Sequence, residues 1–252
     1  MGKFDIDDIL NDLGVNGENG GEIGPNADVR IDTDRRRRTG SPEIVFGAAK
    51  SDEQILEACQ RLLATEPRVI VSRVDRDRVE RLVDRLADVT VEQPYPGATV
   101  VVVQRGASLN QSLGHIAVIT AGTSDLLAAG EAATVASELG CRVSVVADVG
   151  IAGLHRLVQP LRSLVADGVA AIVVAAGMDG ALPTVVTGLV DVPVIGLPTS
   201  VGYGVAAGGN AALGEAHRDA CAVSGLGDEG RFSAVQLDQA LDDGEAKSRT
   251  AM

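Results

Sequence analysis

The chain lacks tryptophan and holds only three phenylalanines and two tyrosines, so aromatic residues make up 2% of its 252 positions. Lysine is almost as scarce: Lys3, Lys50 and Lys247 are the only ones among 22 basic residues, against 35 acids and a net charge of −13. A nucleic-acid-binding surface needs the opposite balance, which excludes that class of partner. An acid-rich, lysine-poor surface instead suits a cytoplasm of high salt, where repulsion between like charges is screened. Cys59, Cys141 and Cys221 stand far apart without a Cys-x-x-Cys pair, which points to neither a disulfide framework nor a structural zinc site. The three histidines are scattered too, which removes a histidine-cluster metal site. Apolar stretches such as Val169–Ala176 fall far short of the roughly 20 residues a bilayer span needs. Acids occupy the N-terminus, where a secretory signal carries positive charge and then an apolar segment. The expected location is therefore the cytoplasm, with no membrane partner.

At 45% hydrophobic the chain can build a core. Residues 1–40 are rich in Gly, Asn and Asp, with little apolar periodicity beyond Phe4–Leu13, and read as an acidic flexible tail with one short amphipathic helix. The run Arg35–Arg38 is either a phosphate-binding arm or a solvated charge cluster, and charge runs favour the second. Residues 41–106 read as a small α/β unit. It has a strand near Glu43–Phe46, a helix Asp52–Ala64 capped by Ser51, a strand Arg68–Ser72, a helix Arg76–Ala87, and strands at Val89–Val91 and Thr99–Gln104. Cys59 shares an apolar stripe with Ile55, Leu56, Leu62 and Leu63, which makes it a core thiol rather than a nucleophile. The polar, glycine-bounded stretch 107–114 reads as a linker. From His115 onward, strands at His115–Thr120, Arg142–Ala147, Ala170–Ala175 and Val192–Gly196 alternate with helices near Ser124–Leu139, Gly153–Ala166, Leu182–Leu189 and Val205–Ala216. Near-continuous apolar strands between helices predict a parallel sheet buried on both faces, hence an α/β domain over 115–252.

Ligands on such sheets sit beyond the carboxyl ends of the strands, which directs attention to four loops. After the first strand, Gly122 lets the backbone approach a ligand while Thr123, Ser124 and Asp125 open a helix. Ordinary helix capping explains this motif when taken alone. After the second strand, His155 and Arg156 can supply a proton donor and an anion clamp side by side. After the third, Gly177 and Gly180 bracket Asp179; after the fourth, Ser200, Tyr203 and Gly204 stand in a glycine-rich turn. Coincidence of the four on one sheet edge is what makes them a site for a small anionic, nucleotide-like ligand. The formal Gly-x-Gly-x-x-Gly at Gly225, Gly227 and Gly230 lacks the preceding apolar strand and reads as a turn.

Taken together, ITAGTSDLLAAGEAA (Ile119 to Ala133), DVGIAGLHRL (Asp148 to Leu157) and IVVAAGMDGALPTVVTGLVDVPVIGLPTSVGYG (Ile172 to Gly204), with Gly208-Gly209, resemble the LarB family of nickel-pincer cofactor biosynthesis. RRRRTGSPEIVFGAAK (Arg35 to Lys50) and VSRV (Val71 to Val74) resemble its N-terminal unit. The family's second domain is in turn similar to class I aminoimidazole ribonucleotide carboxylase. The resemblance implies a flavodoxin-like, three-layer second domain and a cytoplasmic homo-oligomer, an octamer in relatives. It also implies carboxylation and hydrolysis of nicotinic acid adenine dinucleotide to pyridinium-3,5-biscarboxylic acid mononucleotide and AMP. Carbon dioxide or bicarbonate would be co-substrate, no cofactor would be tightly bound, and Mg2+ is a candidate ion at Asp179.

By the same resemblance, Cys221 would attack the pyridinium ring, His155 would move a proton or handle a carboxylate, and Asp179 would orient water. Thr123, Ser124, Asp125, Arg156, Gly177, Ser200, Tyr203 and Gly204 would bind substrate. Beyond Leu213 the pattern diverges, and Cys221 is the cysteine nearest the family's position. Two alternatives stay open: a purine-type carboxylase acting on aminoimidazole ribonucleotide, and a nucleotide-binding homologue without turnover.

Overall fold

Residues 31–202, 208, 209, 211 and 212 are described by the computed structural model. A short helix α1 (Arg35–Thr39) comes first and ends at Gly40, whose left-handed backbone suits glycine. The arginine run, expected as a solvated cluster, is indeed largely exposed, and each arginine also pairs with a carboxylate. Arg35 pairs with Glu43, Arg36 with Glu66, Arg37 with Asp34 and Arg38 with Asp32. Internal neutralisation of all four leaves the phosphate-arm alternative unsupported.

The first sheet follows from β1 (Ile44–Phe46), α2 (Asp52–Leu63), β2 (Arg68–Ser72), α3 (Arg76–Val83), β3 (Val89–Glu92) and β4 (Val100–Gln104). Its order is β1-β2-β4-β3, with β1 parallel to β2 and the other pairs antiparallel. Ser51 starts α2 through a reciprocal capping box: its hydroxyl accepts the Gln54 N–H while the Gln54 side chain accepts the Ser51 N–H. Helices α2 and α3 bury Ile55, Cys59, Leu62, Val79 and Leu82 against Val69, Val71, Val100 and Val102. Helix α3 stops at Val83, short of the expected Ala87, although Leu86 still packs on this core.

The second sheet is built from β5 (His115–Thr120), β6 (Arg142–Val146), β7 (Ala171–Ala176) and β8 (Val194–Pro198), all parallel in the order β6-β5-β7-β8. Between them run α4 (Leu126–Leu139), α5 (His155–Ala166) and α6 (Ala181–Thr187). The chain moves from β5 to β6 on one side and then back past β5 to β7, so right-handed crossovers require helices on opposite faces. Accordingly α4 packs with Ile116, Val118 and Val173, while α5 and α6 pack with Ile119, Ile172 and Val174. This is the doubly wound, flavodoxin-like arrangement. One expectation fails at one edge: β5 and β7 are buried throughout and the edge strand β8 is buried over Val194–Leu197, but Val143–Val146 of β6 are only half-buried.

Helix α4 is shared by both sheets. One side meets the second sheet; on the other, Val135 packs on Ile70 of β2, Glu138 holds Arg68 at 2.8 Å and Glu131 holds Arg73 at 3.5 Å. A helix covered on both sides needs small or apolar residues nearly all round, and Ala129, Gly130, Ala132, Ala133 and Ala136 are all buried. Contact is closest at Gly130, where an added Cβ would lie 1.7 Å from the Pro96 carbonyl oxygen. Glycine there is required by space rather than by φ. Among the described residues no helix is long and apolar enough to cross a membrane.

Candidate active site

In the order β6-β5-β7-β8, the chain leaves β5 toward one face and β7 toward the other, which opens a crevice between their carboxyl ends. The loops bordering it are stitched together. Asp125 lies in a 3-10 turn, Thr123–Asp125, ahead of α4 rather than in the expected α-helical start. Its carboxylate Oδ2 accepts the Gly122 N–H at 2.9 Å, and its Oδ1 accepts the Thr199 hydroxyl at 2.6 Å. Both residues are buried. The loop after β5 is thereby latched to the loop after β8. Gly177 makes room for the latch, because a Cβ on it would lie 2.8 Å from Thr199 Oγ1 and 2.1 Å from the Val201 carbonyl oxygen. The Met178 N–H donates to that carbonyl at 2.8 Å, joining the loops after β7 and β8.

On the other side of the crevice, the Thr120 hydroxyl accepts the Asp148 N–H at 3.2 Å and the Thr120 carbonyl accepts the Val149 N–H at 3.1 Å. Asp148 is held with φ +60°, a left-handed conformation that costs a non-glycine residue roughly 1–2 kcal/mol. Its carboxylate Oδ2 accepts Arg156 Nη1 at 2.6 Å. Another 3-10 turn, Ile151–Gly153, intervenes, so α5 begins at His155 and not at the expected Gly153. Gly153 is buried under the arginine: a Cβ there would lie 2.6 Å from Arg156 Nε.

Of the residues singled out from sequence, Thr123, Ser124, His155, Arg156, Asp179 and Ser200 are exposed on the rim, whereas Asp125 and Gly177 are buried in its foundation. Asp125 was expected among the substrate contacts; in the fold both of its oxygens already accept hydrogen bonds from the protein. Tyr203, Gly204 and Cys221, most of the expected helix 205–216, the glycines 225–230 and the tail 1–30 lie outside the described residues. The structure adds Thr120, Asp148 and Thr199, whose partners are distant in sequence. Strand β8 begins at Val194 instead of Val192, so its loop opens at Thr199, the residue that latches Asp125.

The rim carries hydroxyls, one guanidinium, one imidazole and carboxylates, a set suited to an anionic ligand and to proton transfer. Among the described residues no group of three or more His, Cys, Asp or Glu side chains is placed to hold a metal ion. Asp179 as a Mg2+ ligand is thus a single carboxylate among the described residues. An open cleft of about 450 Å³ lined by Gln60, Leu63, Leu86, Asp88, Gln104 and Arg105 belongs to the first domain and to none of these loops. Cys59 and Cys141 are both buried, and burial pushes the Cys59 thiol up to about 12.

Residues 26–104 match the family model described as the LarB/PurE-like N-terminal domain, and residues 115–214 match that of AIR carboxylase. An uncharacterized protein of Methanocaldococcus jannaschii is 34% identical over 182 residues, covering 70% of this chain and 70% of its own. The second match spans the crevice and all four of its loops.

Proposed function

Because the chain belongs to the LarB family, with an AIR-carboxylase-like second domain, we propose that it converts nicotinic acid adenine dinucleotide, carbon dioxide and water to pyridinium-3,5-biscarboxylic acid mononucleotide and AMP. The observation that carries this reading is the held arginine: Arg156, paired with Asp148 in the loop after β6, stands at the same end of the parallel sheet as hydroxyl-bearing Thr123 and Ser124 after β5 and offers a planar donor for a carboxylate or phosphate. The family supplies the carboxylase class; the dinucleotide and the hydrolysis are our reading.

The chemistry is balanced without an external oxidant. A thiolate, assigned to Cys221, adds to C4 of the pyridinium ring, and the ring electrons move onto nitrogen to leave an enamine-like C5. That carbon attacks carbon dioxide and forms the new C–C bond. Loss of the C5 proton, for which His155 is the candidate acceptor, restores aromaticity and expels the thiolate. Water then cleaves the phosphoanhydride and releases AMP, with Asp179 as the candidate to orient it. Thr123, Ser124 and Ser200 contact ribose or phosphate, and Arg156 grips an anionic group of the substrate.

The test is incubation of the full chain with the dinucleotide, bicarbonate and Mg2+, following AMP and the mass of the pyridinium product. A gain of one carboxylate with AMP release is expected, and Cys221→Ala should abolish the gain. Carboxylation of aminoimidazole ribonucleotide in place of the dinucleotide would overturn the assignment in favour of a purine-type enzyme. Binding without turnover would overturn it in favour of a ligand-binding homologue.

A further inference from the structure

The backbone at Asp148 is held in a left-handed conformation that few residues with a side chain adopt. Its φ of +60° is held by Thr120, which is fully buried and accepts the N–H of both Asp148 and Val149. What the strain achieves is direction: the carboxylate is carried to 2.6 Å from Arg156 Nη1. The ion pair itself does not repay the strain, because its side chains are 53% and 41% exposed and such pairs contribute little to stability. The guanidinium also lies close over Gly153. Gly153 leaves space that a Cβ would close, at 2.6 Å from Nε and 3.0 Å from Nη2.

We propose that Asp148 is a positioning residue which, with Gly153 beneath, holds the Arg156 guanidinium in one orientation for an anionic group of the substrate. Arginine has five N–H donors, so engagement of Nη1 by Asp148 leaves capacity for a carboxylate or phosphate of the ligand. Orientation matters because a donor misplaced by about 1 Å can cost as much as a hundredfold in rate. The pairing stands on geometry alone; the identity of the ligand rests on the function proposed above.

Two variants of the full chain separate aiming from scaffolding. Asp148→Gly accepts φ +60° without strain and removes the carboxylate; Asp148→Asn tolerates that φ and keeps an oxygen that can accept from Arg156. The Arg156 Nε–H resonance, assigned by its loss in Arg156→Lys, should be sharp in the wild type and in Asp148→Asn but broadened beyond detection in Asp148→Gly. The thermal midpoint of Asp148→Gly should not fall below wild type. Its Kd and KM for the dinucleotide should rise about tenfold with a smaller change in kcat, and Asp148→Asn should recover most of the loss. Unchanged affinity in Asp148→Gly, or a lowered midpoint with no recovery in Asp148→Asn, would overturn the proposal. Should the wild type fail to bind the dinucleotide at all, the functional reading falls. The resonance then decides the pairing by itself: an unaltered Arg156 signal in Asp148→Gly refutes it.

Discussion

Replacing Thr199 by valine removes one hydroxyl from the foundation of the site with almost no change of shape. The hydroxyl donates to Asp125 Oδ1 at 2.6 Å, and the two residues are only 7% and 4% exposed. A hydrogen bond to a charged group contributes about 1.5–3 kcal/mol, and water has little access to replace the lost donor. The extra methyl returns less than the roughly 0.8 kcal/mol of a buried methylene, because part of its surface faces a carboxylate. The net expectation is a loss of about 2 kcal/mol. At about 2–4 °C per kcal/mol for a protein of this size, that is a fall of about 4–8 °C in Tm.

Thr199→Ser keeps the donor and gives up only a methyl, so it should lie within about 1 kcal/mol of wild type. Urea midpoints and thermal melts of the three proteins, with dinucleotide affinity measured on each, test both the energy and the consequence. Release of the latch frees the loop after β8 from the loop after β5, so the valine variant should bind more weakly and the serine variant should not. A valine variant as stable as wild type would refute the reasoning, as would a serine variant that falls as far as valine.

Gly130→Ala should destabilise despite the roughly 1 kcal/mol that alanine gains over glycine in a helix. Its Cβ would lie 1.7 Å from the Pro96 carbonyl oxygen, a backbone atom, so the two sheets must separate at a cost of about 1–3 kcal/mol, readable as a lowered urea midpoint. In native protein at about pH 8, iodoacetamide should leave Cys59 unlabelled, since burial pushes its thiol up to about 12; mass mapping of the peptides checks this. His115 is buried, accepts from Arg142 Nη2 at 2.7 Å and pairs through Nε2 with Ser144 Oγ at 2.9 Å. Burial first, then the charge of Arg142, lowers its pKa below the ordinary 6.5. As pH falls past 6.5 the unfolded chain takes up a proton that the folded chain refuses. Stability is therefore full above that pH and declines below it. The decline should be lost in His115→Gln and should therefore appear in the difference between wild type and that variant, measured by urea midpoints across the window.

The sequence made the second sheet legible because its strands are short apolar runs set between helices, and IVVAA in β7 can scarcely be read otherwise. It made α2 legible through Ser51 and Gln54, which are three residues apart and cap each other. What escaped it depends on partners remote in the chain. Asp125 looks like a helix cap or a ligand contact until Thr199, 74 positions away, is seen to hold it. Asp148 carries no local sign of a positive φ, and Arg156 reads as a free anion clamp until the two are placed together. The alanines and Gly130 of α4 do record burial on two sides, but only the contact with Ile70 and Pro96 shows what covers the second. The arginine run was read by composition, and each arginine's carboxylate partner lay beyond what composition describes.

The thiol on which the proposed carboxylation depends can be located by exclusion among three. Cys59 is sealed in the core of the first domain, on the inner face of α2 and away from every loop of the crevice. Cys141 is equally buried and stands immediately before β6. All four strands of that sheet are parallel, so Cys141 marks the end opposite the site, and five strand residues at about 3.3 Å each put it on the order of 15 Å from the loops. Addition to a pyridinium ring needs the sulfur in contact with the carbon, which neither core thiol can offer without unfolding its domain. Under the proposed mechanism this leaves Cys221, the cysteine the family resemblance points to, as the candidate sulfur. On the proposed function, the rim that would bind substrate lies within residues 120–202, whereas the attacking sulfur would come from later in the sequence. Binding and carboxylation should therefore be separable by mutation: changes at Arg156 or Asp148 weaken affinity, and changes at Cys221 remove chemistry while affinity persists.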